Sequence, residues 1–315
     1  IKDYDYTKDA KDKDGNALKW VEDDENGNSN PDETERMFSI KFNKHANWNT
    51  GANGYNGTGY SNQYALHFGV RGGQDYANTF PFGQGWGAGP VAPNLVADWK
   101  SIEPNDPRLD ATVQDWTKST TYTKGGGDGF VQETDYYAKK WAPITAKKDD
   151  GSYVSNFEYV MFAGGWPSAT DNNMQLDNIR DLVLMRFAEV LLMQSELKED
   201  VGGINEVRKR AGLSPIGAYS LQALQNERRW ELACEGIRWN DLRRWHIAAA
   251  ALDRQTNQPV YYNGQPSKNE AHNGGYAARY NATAGFLKMP DNQVALGTVV
   301  QNEGWTDATS EYQKW

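Results

Sequence analysis

The sequence predicts a mostly α chain with extended irregular loops and a few short strands. Three observations predict it. Residues 177–252 carry apolar side chains at three- and four-residue spacing, the period of a helix face. Residues 51–90 contain eleven glycines, a density that excludes a helix and any long strand there. Aromatics make up 12% of the 315 residues, so this polar chain, with a mean hydropathy of −0.82, folds rather than staying disordered.

The elements follow in order. The first 35 residues are polar and charged, with turn signals at Asp12–Gly15 and Asn26–Pro31. Met37–Phe42 alternates like a strand. The glycine-rich stretch follows, with Asn, Tyr and Phe between the glycines. Residues 91–175 mix short strands and turns; Phe157–Phe162 is the clearest strand, and Thr123–Phe130 reads as a hairpin tip. From Asp177 the character changes. Ile179, Leu182, Val183, Phe187, Val190, Leu191 and Leu197 predict a helix over 178–198, with Leu184, Met185, Leu192 and Met193 filling its other faces. Ile204–Gly212 is a short helix stopped by glycine. Ser220 caps a third helix running to about Glu235, and Gly236 breaks it. A fourth begins near Asn240 or Asp241 and ends around Leu252. The chain thus reads as one domain over 1–315. Residues 1–176 form a loop-rich candidate ligand-binding region, 177–252 a helical scaffold, and 253–315 a loop-rich C-terminal segment.

Composition removes several function classes. The net charge of −9 opposes a general role in binding nucleic acid, which needs clustered positive charge. Cys234 is the only cysteine, so no internal disulfide forms. The longest apolar run, Leu182–Met193, is interrupted by Arg186 and Glu189 and falls short of the roughly 20 residues of a membrane span.

The densest chemistry lies in Asn226–Trp245, NERRWELACEGIRWNDLRRW. Glu227, Glu231 and Glu235 recur at four-residue spacing on one helix face and would repel one another alone. Arg228, Arg229, Arg238, Arg243 and Arg244 lie close enough in sequence to neutralise them. A paired-carboxylate enzyme keeps one acid protonated, whereas arginine-saturated acids are all ionised. The window therefore reads as a network of Arg–carboxylate pairs at a helix corner, not as a catalytic centre.

The same window resembles the C-terminal signature of the SusD/RagB family of nutrient-binding outer-membrane lipoproteins. Other segments agree in the family's order: Pro31–Phe42, Asn105–Arg108 with its Asp-Pro-Arg, Met185–Glu196, Ile204–Leu213, Phe286–Pro290 and Gln301–Trp305. The resemblance implies a SusD-like, α-superhelix-associated domain without catalysis. It implies an outer-membrane, cell-surface position, held by a lipidated N-terminal cysteine that is absent from this chain. It implies three partners: an oligosaccharide or polysaccharide, a SusC-like TonB-dependent transporter, and an N-terminal half of tetratricopeptide-like hairpins that is likewise absent here. Ligands are glycans in most members and peptides in some.

Ligand contacts are expected away from the ion-pair window. Sugars offer apolar C–H faces to flat aromatics and hydroxyls to Asn, Asp, Lys and Arg. Residues 43–90 have this vocabulary. Trp48 and Trp86 come first as the largest platforms, with Asn47, Tyr55, Tyr60 and Tyr76 beside them; Tyr64 and Arg71 lie in the same stretch. The alternative is that these rings pack the loop against its own core. No cofactor and no metal is expected. Asp24, Asn26, Asn28 and Glu35 fall at calcium-loop positions, but Ser29 stands where the sharp turn wants glycine. The four histidines show no ligand spacing. Three readings compete with a glycan binder: a peptide binder of the same family, a glycoside hydrolase with two carboxylates about 5–10 Å apart, and a purely structural lid on the transporter.

Overall fold

A computed structural model describes residues 35–40, 63–71, 82, 84–119, 122–124, 132–142, 146–147, 150–154, 181–271 and 274–305. The chain is mostly helical with short strands. Its helices are α1 (Gln63–Phe68), α2 (Pro93–Ile102), α3 (Arg108–Thr112), α4 (Phe187–Lys198), α5 (Gly202–Arg210), α6 (Leu221–Glu231), α7 (Arg238–Arg244), α8 (Ala248–Asp253), α9 (Gly275–Thr283) and α10 (Asp291–Val294). The strands are mostly two to five residues long and pair in small ladders. Those used below are β1 (Arg36–Ile40), β2 (Val70–Arg71), β3 (Gln84–Gly85), β4 (Val113–Asp115), β5 (Gln132–Glu133), β6 (Tyr136–Ala138), β7 (Ala146–Lys147), β8 (Tyr153–Val154), β9 (Leu182–Arg186), β10 (Pro259–Tyr262) and β11 (Gln265–Lys268).

Helix α6 organises the interior because its two apolar sides enter different clusters. Leu224 is buried with Ala188 and Leu192 of α4 and with Ile204 and Val207 of α5. Trp230 is buried with Val96 and Trp99 of α2, Leu109 of α3 and Ala138 of β6. The Trp99 and Trp230 rings stack, with centroids 5.0 Å apart and planes 19° apart. Ser220 caps α6 as expected: its hydroxyl accepts from the Ala223 N–H at 3.1 Å. The close crossing of α4 and α5 depends on Gly203, where a Cβ would collide with the Leu191 carbonyl.

Several sequence expectations are corrected. The helix expected over 178–198 is a strand followed by a helix: β9 pairs antiparallel with β1, Ile40 opposite Leu182, and α4 starts only at Phe187. A continuous apolar run has no period that separates strand from helix, and here β1 supplies backbone partners that turn it into a ladder. The third helix stops at Glu231, four residues before the expected end, and the turn 232–237 contains Gly236 at φ +80°. The expected fourth helix is two, α7 and α8, separated at His246, which adopts φ +57°. Helices are not confined to 177–252. Helix α1 lies inside the glycine-rich stretch, because Gln63–Phe68 is a glycine-free run between glycines. The segment after 253 holds the β10–β11 hairpin, α9 and α10 rather than loop alone. Phe157–Phe162 and most of Thr123–Phe130 lie outside the described residues.

Candidate functional site

The three glutamates of the signature window are held by cations from other segments. Glu227 accepts from Arg108 Nη1 at 2.6 Å and from Arg208 Nη1 at 3.2 Å. Glu231, 3% exposed in its side chain, accepts from Arg108 Nη1 at 2.9 Å and also from Arg186 and Arg210. Glu235 accepts from Arg186 Nε at 2.7 Å and from Lys140. Glu35 joins the cluster from the residue before β1, accepting from Arg186 and Arg210. Asp106 completes it: its carboxylate takes the Arg108 Nη2 at 2.7 Å and the Trp99 indole N–H at 2.9 Å. The Asp-Pro-Arg segment thus ties α2 and α3 to α6.

The predicted network exists, but with different partners. Arg228 and Arg229, the arginines next to Glu227, serve acids other than the three glutamates. Arg228 instead grips Asp241 of α7 with two bonds, at 2.9 and 3.0 Å. Arg229 binds Asp98 at 2.6 Å, and Arg244 binds Asp241 and Glu196. Arg243 lies 5.0 Å over the Phe286 ring and 5.9 Å over that of Trp239. Electrostatics follow the pairing. Burial raises the Glu231 carboxyl, but Arg186, Arg210, Lys140 and Arg108 outweigh it and hold the group well below the usual carboxylate range. For Glu227 and Glu189 burial wins, and both are raised. These acids are salt-bridged structural groups, with no arrangement that leaves one as a proton donor facing a substrate.

The aromatic face around α1 is built differently. Parallel pairing of β2 with β3, Val70 opposite Gln84, brings the residues after β3 back beside α1. The Gly87 N–H donates to the Gly69 carbonyl at 2.9 Å and the Ala88 N–H to the His67 carbonyl at 2.7 Å. With the β2–β3 ladder holding Gly85, these bonds fix the backbone on both sides of Trp86. The His67 ring meets the indole edge-on, with centroids 4.8 Å apart and planes at 76°. Such a contact sets the tilt of the indole while covering only part of it; Trp86 is 38% exposed. One turn earlier on α1, Tyr64 is 49% exposed. Its ring packs on Phe68 at 6.1 Å and on Trp141 at 5.6 Å. Trp141 is in turn buried and donates its indole N–H to the Cys234 carbonyl. Two exposed rings therefore stand on a rigid, hydrogen-bonded base, which is what stacking against the C–H face of a sugar requires.

Of the expected ligand residues, Trp86 is the one the described residues contain. Asn47, Trp48, Tyr55, Tyr60 and Tyr76 lie outside them. In the sequence Tyr64 belongs to the vocabulary of the region without standing among its leading candidates, and His67 is considered only as a metal ligand. The i, i+3 spacing of Tyr64 and His67 is the signal that pairs them, and it becomes visible only once α1 is recognised as a helix. Among the described residues no cluster of three or more His, Cys, Asp or Glu could hold a metal ion. Glu35, the last position of the calcium-like spacing, is bonded to Arg186 and Arg210 instead.

A profile described as the SusD family matches residues 17–305. SusD-like protein P38 of Formosa agariphila is 27% identical over 179 residues, which are 51% of this chain and 34% of that protein. Surface glycan-binding protein A from Bacteroides fluxus superposes with a TM-score of 0.57 at 22% identity, over 87% of this chain and 52% of that one. Surface glycan-binding protein A from Bacteroides thetaiotaomicron in complex with laminarihexaose gives 0.55 at 21%, over 85% and 52%. The chain thus spans about half the length of these solved relatives and about a third of the curated one.

Proposed function

The chain belongs to the SusD family, and on that premise we propose that it captures an oligosaccharide at the cell surface and hands it to a TonB-dependent outer-membrane transporter. It acts by binding and not by catalysis. The observation that carries this reading is Trp86, 38% exposed on a hydrogen-bonded turn and tilted by His67, with the exposed Tyr64 one turn earlier on α1. The glycan-binding relatives support the ligand class, and the laminarihexaose complex of one of them names the first probe, a β-linked glucose oligomer.

A second body covers part of this chain in the working protein. Phe38, Ile40, Leu184, Met185 and Phe187 are exposed along the β1–β9 ladder and the start of α4. An apolar run of this kind supports a docking face for the remaining half of a full-length protein, given the twofold difference in length from the solved relatives.

Calorimetric titration of laminarihexaose, a wider glycan panel and a peptide pool tests the proposal. A saturable glycan isotherm that weakens about thirtyfold in Trp86→Ala, corresponding to about 2 kcal/mol, is the expected result. Binding of the peptide pool alone, or measurable cleavage of a bound glycan, would overturn it.

A further inference from the structure

Strands β5, β10 and β11 form a three-stranded sheet with β10 in the middle. Asn263 and Gly264, both at positive φ, make the two-residue turn that joins β10 to β11. The register is set on both sides of β10. Tyr262 stands opposite Gln265 of β11 and Gln132 of β5, and Tyr261 stands opposite Pro266 and Glu133. Directly opposed residues of antiparallel strands project from the same face, and neighbours along one strand from opposite faces. The two faces therefore differ. Glu133, Tyr261, Pro266 and Lys268 share one; Gln132, Val260, Tyr262, Gln265 and Ser267 share the other.

The first face is fastened to the rest of the molecule. Glu133 is fully buried and accepts from the phenols of Tyr122 at 2.5 Å and Tyr137 at 2.9 Å. Lys124 Nζ lies 4.2 Å over the Tyr261 ring. The second face is open. Tyr262 is 52% exposed, and Gln132 and Gln265 are exposed beside it. Neither the Tyr262 phenol nor the two amides hydrogen-bond to another described residue. Ladders on both sides hold the Tyr262 backbone, so the ring stands on a preformed support. The strand spacing of about 4.8 Å puts an amide on each side of it, roughly 5 Å away. The row carries no charge, because the two charged side chains of these strands, Glu133 and Lys268, lie on the other face. A phenol ring accepts the C–H surface of a pyranose, and each amide offers both a donor and an acceptor to hydroxyls at its rim. A row without charge gives an ionic ligand no partner and a neutral one no ion to desolvate.

We propose that this open sheet face is a second glycan contact, in which an uncharged sugar unit stacks on Tyr262 between Gln132 and Gln265. The sugar rests on the glycan-binding reading above; the choice of an uncharged unit rests on the row itself. A long chain engaged by both the Trp86 face and Tyr262 gains affinity through the effective concentration of its second contact.

Affinity electrophoresis through laminarin, the polymer of which laminarihexaose is a fragment, tests this on the native protein and on single variants, with thermal melting of each. Tyr262→Ala is expected to bind laminarin at least about tenfold more weakly and to melt within a few degrees of native, since the ring is half-exposed. Tyr262→Val keeps the strand preference and should lose the same affinity, whereas Tyr262→Phe keeps the ring and should retain most of it. Gln265→Ala should weaken binding severalfold. Native binding by Tyr262→Ala, or a loss in Tyr262→Ala that Tyr262→Val does not share, overturns the second contact and leaves the Trp86 proposal intact. Weakened binding in Tyr262→Ala with native binding in Trp86→Ala overturns the Trp86 proposal and leaves this contact standing. A native protein that laminarin and neutral mannan, xylan and galactan all fail to retard overturns both.

Discussion

Helix α6 and helix α1 treat their conspicuous side chains in opposite ways. In α6 the acids Glu227 and Glu231 are buried, and each is bonded to at least two arginines brought from α3, β9 or α5. Every bond there joins two parts of the same chain. In α1 and the turn beside it, Tyr64 and Trp86 are braced by Phe68, Trp141 and His67, yet both rings remain partly exposed. The first arrangement uses up its chemistry in holding the fold; the second holds chemistry available to a ligand. Density of charged and aromatic residues in sequence therefore marks architecture here, and the proposed ligand face lies in a quieter stretch.

Variants that break the comparison should separate stability from binding. The largest effect is expected for Glu231→Gln. Removing one charge from a buried group bonded to Arg108, Arg186 and Arg210 leaves those cations uncompensated. A loss of about 3–5 kcal/mol in urea-induced unfolding is the expected result. Gly203→Ala should follow, at about 1–3 kcal/mol, because the added Cβ meets the Leu191 carbonyl and pushes α5 off α4. His67→Ala is the smallest. It removes an edge-on ring pair of about 0.5–1.5 kcal/mol; glycan affinity should fall severalfold while melting changes little.

Acid sharpens the same contrast. The folded Glu231 carboxyl is depressed, so its stabilisation is present in full above the unfolded glutamate value of about 4.3 and is lost as pH falls through the folded value. Glu227 and Glu189 are raised by burial and act with the opposite sign, disfavouring the fold as pH rises through their range. Unfolding free energies measured from pH 6 down to pH 3 should therefore fall more steeply in the native protein than in Glu231→Gln. Parallel curves would show that Glu231 is not the dominant acid-sensitive group.

The helical scaffold was legible in the sequence where local rules act alone. Ser220 caps α6, glycine ends α5, and the arginine–carboxylate network is present. What was missed depends on partners distant in the chain. Leu182–Arg186 becomes a strand because β1, about 145 residues earlier, offers it a backbone ladder. The cations that reach Glu227 and Glu231 come from Arg108, Arg186, Arg208 and Arg210, not from the neighbouring Arg228 and Arg229, which pair with Asp241 and Asp98 instead. Trp86 was named from its size alone. That it lies against His67 of α1 follows from the β2–β3 pairing, which a two-residue ladder does not announce in sequence.

The most direct test places both regions on the same two axes. Laminarihexaose titration and thermal melting are measured on the native protein, Trp86→Ala and Glu231→Gln. The account predicts a crossed result: Trp86→Ala melts within a few degrees of native and binds roughly thirtyfold more weakly, whereas Glu231→Gln melts far lower and, at a temperature where it is folded, binds with native affinity. Normal binding by a normally melting Trp86→Ala, or a collapse of its melting temperature together with its binding, would contradict the assignment of function to the α1 face.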